Sequence, residues 1–102
     1  MATSIIKGKH FGPFTHMSNF SFPWTAPSDG IAVLKLQKNS SSGQVTYYVR
    51  CTDLGVVCYI STNLPASFQV TGVFPVLGGM RYTEDYSSGG LANVELTFYP
   101  LI

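Results

Sequence analysis

The feature that most constrains this chain is a two-residue alternation that recurs along most of its length. In Ile31–Gln37, Ala32, Leu34 and Leu36 alternate with Ile31, Val33, Lys35 and Gln37. In Gln44–Cys51, Val45, Tyr47, Val49 and Cys51 alternate with Thr46, Tyr48 and Arg50, and Val56–Ser61 sets Val56, Cys58 and Ile60 against Val57, Tyr59 and Ser61. Near the end, Ala92, Val94, Leu96 and Phe98 alternate with Asn93, Glu95, Thr97 and Tyr99. Successive strand side chains point to opposite faces, so this pattern is that of strands with one buried face. Phe20, Phe22 and Trp24 show the same period just before a corner made of Pro23, Pro27 and Ser28-Asp29-Gly30. Proline fixes φ and lacks a donor, and Gly30 tolerates positive φ, so a strand must stop there.

Turn signals punctuate the rest: Gly12-Pro13, Lys38–Gly43, Thr62–Pro65, Leu77–Met80 and a loop over Tyr82–Gly90. About eight short strands separated this way predict an all-β fold, an antiparallel β-sandwich of jelly-roll type. With 102 residues the chain makes a single domain over 1–102. Ala2–Lys7, around Ile5 and Ile6, reads as an edge strand, and Ala66–Phe74 as a strand with Phe68, Val70 and Phe74 on one face. The predicted core is Phe20, Phe22, Trp24, Leu34, Leu36, Val49, Phe68, Val70, Val94, Leu96 and Phe98.

Charged residues are only 11% of the chain, against about 25% in an ordinary soluble domain. So few charges predict that part of the surface is buried against copies of the same chain. The net charge is +1, without a basic run, which gives nucleic acid nothing to hold. No stretch reaches the roughly 20 apolar residues of a membrane helix. The first ten residues lack the apolar segment of a signal peptide, which predicts synthesis in a cytoplasm.

Cys51 and Cys58 flank a hairpin turn expected at Leu54-Gly55, a register that sets them opposite one another. They are expected as buried thiols rather than a disulfide. Two cysteines with remote His10 and His16 do not make a metal site, and neither a metal nor another cofactor is expected. No Gly-x-Ser-x-Gly, phosphate loop or zinc spacing occurs. Glu84 and Asp85 are adjacent and so point to opposite faces of a strand, which disfavours a paired glycosidase dyad. The chain is therefore expected not to be an enzyme.

Two binding surfaces are expected instead. The first is a sugar site in the Tyr82–Gly90 loop, where Tyr82 and Tyr86 offer ring faces and Asp85, with Asn63, offers hydroxyl partners. The second is an oligomer interface on the faces opposite the core, which carry Ile31, Val33, Tyr48, Val57, Tyr59 and Tyr99. In the expected hairpin register Tyr59 lies opposite Arg50 and Tyr48 opposite Ser61, which groups them in one patch.

Three stretches carry a resemblance. Trp24-Thr-Ala-Pro-Ser-Asp-Gly30 resembles the opening corner of complement globular-head and tumour-necrosis-factor-like jelly rolls. It is more similar still to small trimeric head modules of bacteriophage tail and head fibres. Phe74-Pro-Val-Leu-Gly-Gly-Met80 is similar to a turn of those modules, and Gly90–Leu101 resembles their closing strand. The resemblance implies a homotrimer in a virion with an adhesive role toward a cell-surface polysaccharide. A capsid or tail decoration whose assembly is its whole function is the second expectation.

Overall fold

The computed structural model describes residues 10–102 and, at Tyr86, the backbone alone. The edge strand expected over Ala2–Lys7 lies outside the described residues. Eight strands follow in chain order: β1 Thr15–Met17, β2 Trp24–Thr25, β3 Gly30–Lys38, β4 Gly43–Cys51, β5 Gly55–Leu64, β6 Gln69–Val76, β7 Arg81–Ser88 and β8 Leu91–Pro100. They form two four-stranded sheets, ordered β1-β8-β3-β6 and β2-β7-β4-β5. Every pairing is antiparallel. The chain crosses between the sheets at every connection but the β4–β5 hairpin, which is the topology of an eight-stranded jelly roll.

The alternation places the core as expected in β3, where Ala32, Leu34 and Leu36 are fully buried between half-buried neighbours. Val45, Tyr47, Val49 and Cys51 face them from β4. Leu96 and Phe98 complete the buried centre, and Phe20, Phe22, Trp24, Val70 and Val94 pack around it, half-buried. Trp24 lies against Tyr82 and Phe98, with ring centroids 5.9 and 5.5 Å away. Asp29 ties the predicted corner down: its carboxylate accepts the Gly78 N–H at 2.8 Å, and its carbonyl accepts the Leu101 N–H.

Several expectations need correction. Phe68 is 59% exposed. It ends a tight turn in which its N–H bonds to the Pro65 carbonyl and Ser67 takes a φ of 65°, so the strand parity starts only after it. The Tyr82–Gly90 stretch is not a loop. Glu84, Asp85 and the closing Ser-Ser-Gly-Gly read as loop by composition, but β7 runs beside β4 from Cys51↔Tyr82 to Thr46↔Ser88, and that ladder satisfies its backbone.

The β4–β5 turn is longer than two residues. Cys51 pairs with Gly55, which adopts a φ of 87°, and the Leu54 N–H closes on the Cys51 carbonyl. A bulge follows, so Cys58 opposes Val49 rather than Cys51. Both cysteines are free and buried, and burial raises the Cys58 thiol above its ordinary value. The same bulge turns Val57 inward against the core and leaves Val56 46% exposed, so Val57 is not on the outer face.

The expected interface is also divided. Ile31, Val33 and Tyr99 lie on the β1-β8-β3-β6 sheet, whereas Tyr48 and Tyr59 lie on the β2-β7-β4-β5 sheet. The two groups therefore sit on opposite sides of the sandwich. Tyr59 opposes Tyr48 directly, and their rings stack at 4.6 Å.

Candidate functional site

β1 and β2 are short, with three and two residues, so they flank β8 and β7 only at one end. Past them the margin of the sandwich is left open between β7 and β8. A cleft of about 280 Å³ lies there, lined by Tyr47, Glu84, Ser87, Ser88, Gly90, Leu91 and Val94. The β1–β2 connection closes its inner end. The Phe20 N–H bonds to the Val94 carbonyl at 2.8 Å, and the Phe22 ring lies 6.4 Å from that of Tyr47.

The polar groups converge on one carboxylate. The Ser87 hydroxyl donates to Glu84 Oε2 at 2.8 Å. Burial pushes the Tyr47 hydroxyl far above the ordinary tyrosine value, and the Glu84 carboxylate raises it further as a negative charge and as a hydrogen-bond acceptor. Tyr47 is thus a neutral donor at any physiological pH. Lys38 ends β3 nearby and is 4% exposed, with its ammonium donating to Asn39 Oδ1 at 3.0 Å. Gly90 makes room for this pair: a Cβ there would stand 2.5 Å from Asn39 Nδ2 and 3.4 Å from Lys38 Nζ. Leu91 and Val94 supply an apolar wall. A carboxylate and hydroxyls beside an aliphatic wall suit a polyol ring, whose hydroxyls bond to the rim while its C–H face meets the wall.

The structure brings together few of the residues nominated from sequence. Tyr82 is fully buried, not open to a ligand: its hydroxyl accepts the Leu77 N–H at 2.9 Å, and its ring packs on Phe74 and Trp24. Asp85 is exposed on the outer face of its sheet, where it pairs with Arg50 at 3.1 Å. A bulge in the β4–β7 ladder separates it from Glu84, which faces the cleft. Tyr86 stands opposite Tyr48 along the backbone. Asn63 is exposed on β5 beside Gln44, in a separate open depression with Ser42, Gly43, Leu64 and Pro65. Tyr82 and Asn63 thus belong to opposite ends of one sheet.

The expected stretch does line the cleft, but through Glu84, Ser87, Ser88 and Gly90 rather than through its tyrosines. Tyr47 and Lys38 were not nominated. Tyr47 sits on the core face of its strand, 2% exposed, and no sequence signal tells which core tyrosine will border a cleft.

A second, apolar groove of about 290 Å³ lies at the other end of the sandwich, lined by Phe11, Asp29, Gly30, Ile31, Pro75, Val76, Leu77 and Leu101. It continues onto the outer face of the β1-β8-β3-β6 sheet. There Phe14 and Val73, 61% and 62% exposed, accompany Ile31, Val33 and Tyr99. The far half of that face is polar, with Glu95 held between Lys35 and His16, each at 3.2 Å. Lys35, as hydrogen-bond donor and as charge, holds the Glu95 carboxyl below its ordinary value, with help from Asn93 and His16. Compared with known proteins, the chain matches no family model, no curated relative and no solved structure.

Proposed function

We propose that this protein is a non-enzymatic virion module, a component of a phage tail or head fibre that assembles as a trimer and recognises a cell-surface glycan. The observation that carries the binding part is the Tyr47–Glu84–Ser87 cleft, where hydroxyls converge on a carboxylate beside an aliphatic wall. One carboxylate suits hydrogen bonding to sugar hydroxyls rather than glycoside cleavage, which in most such enzymes uses a facing pair. The virion setting rests on the resemblance of three motif stretches, and the jelly-roll topology is the fold that the resemblance implies.

Assembly draws support from the apolar half of the β1-β8-β3-β6 face, where Phe14, Ile31, Val33, Val73 and Tyr99 gather. Soluble monomers rarely leave such patches uncovered. A glycan array on the purified protein tests the reading. Glu84→Ala should weaken any captured glycan by roughly 10–100-fold, the loss of a hydrogen bond to a charged group. Light scattering should return a multiple of three chains per particle, and Val33→Lys should break that multiple. Unchanged glycan binding in Glu84→Ala would remove the cleft from the proposal. Absence of any glycan binding by a stable assembly would favour a decoration protein instead.

A further inference from the structure

Each sheet has two edges, and the four edge strands are β1, β6, β2 and β5. Exposed edges invite pairing with other chains, and proteins blunt them by shortness, proline, bulges or charge. β1 and β2 are three and two residues long. β6 contains Pro75, which has no N–H to offer, and Gly72, which weakens the strand. Gly72 is required by packing: a Cβ there would lie 2.8 Å from both Cys58 Sγ and Ile60 Cδ1.

β5 has none of these guards over most of its length. It runs Gly-Val-Val-Cys-Tyr-Ile-Ser-Thr-Asn-Leu over ten residues, without proline or charge. Its one bulge lies at Val57, next to the hairpin turn, and leaves Cys58–Leu64 in regular register with β4. Among the described residues its other side has no strand. Its outward side chains include Tyr59, 61% exposed and stacked on Tyr48.

We propose that β5 is a self-association edge, paired antiparallel with β5 of a second copy across a two-fold axis. The uncharged sequence favours this occupant. A two-fold contact sets β5 residues placed symmetrically about the axis against one another, so a charge at or beside the axis would face a like charge. β5 is free of that penalty in every register. Pairing joins two four-stranded sheets into one of eight and satisfies the free backbone row of each edge. The contact is independent of the three-fold reading: it makes dimers of single chains and dimers of trimers.

Native mass spectrometry and amide exchange on the full chain test this. The expected result is an even number of chains, with β5 amides protected in a concentration-dependent way. Ser61→Lys and Tyr59→Lys should each halve the particle mass, whereas Phe68→Lys, equally exposed but off the edge, should leave it unchanged. A particle with an odd number of chains would overturn the pairing and leave a trimer intact. Protection of β5 that does not vary with dilution would mean that the chain covers its own edge, which also overturns it. So would rapid β5 exchange at high concentration.

Discussion

Two tyrosines of one sheet, Tyr82 beside the last residue of β4 and Tyr47 at the middle of that strand, meet opposite fates. Both are buried, and both belong to the face that meets the core. Tyr82 is closed over. Trp24 and Phe74 cover its ring, β2 pairs alongside it, and the backbone N–H of Leu77 donates to its hydroxyl. Tyr47 is covered on one side by Phe22, but its hydroxyl end lies where β1 and β2 have run out. There it meets a carboxylate and a cleft rather than a backbone donor. A buried tyrosine with all its needs met by the main chain is a structural part. One that shares a carboxylate at an open margin borders the cleft from the buried side.

The comparison can be broken most forcefully at the closed end. Tyr82→Ala removes a fully buried ring and should cost about 3–5 kcal/mol of stability, read by urea unfolding. Tyr82→Phe should leave glycan binding untouched, because the ring does not reach the cleft. At the open end, Tyr47→Phe should cost about 0.5–1.5 kcal/mol at neutral pH through the lost hydrogen bond.

The pH profile of that same variant sharpens the contrast. The folded-state value of Tyr47 is raised above the ordinary 10. Below pH 10 folded and unfolded chains both keep the proton, and the group adds no pH dependence. Above it the unfolded chain releases the proton while the folded chain holds it, so stability falls as pH rises. Tyr47→Phe should flatten that fall between pH 10 and 11, measured by denaturant unfolding at each pH. The smallest effect belongs to Asp85→Ala. Its ion pair with Arg50 is solvent-exposed, so both melting temperature and glycan binding should stay close to wild type.

Sequence reading succeeded where the physics is local. Side-chain parity along a strand depends only on the strand itself, so the buried faces of β3, β4 and, from Val94 on, β8 were readable from their alternation, whereas a register shift leaves Ala92 exposed. It failed where a distant partner decides. Glu84, Asp85 and Ser87 carry the composition of a loop, and only the β4 ladder makes their segment a strand. Val57 keeps the parity of an outward residue until a bulge inserts it into the core. The separation of Ile31, Val33 and Tyr99 from Tyr48 and Tyr59 follows from which strands share a sheet, and alternation does not encode that.

The amino-acid order alone determined that this chain is built of strands, where most of them break, and which side of β3, β4 and β8 is buried. Period two and the restricted angles of proline and glycine act within a few residues. The tertiary structure decided the pairing order, the bulges, the open margin beyond β1 and β2, and therefore which of two core tyrosines borders the cleft. Those features arise from contacts between segments far apart in the chain, whose geometry is set only when the two sheets close on each other.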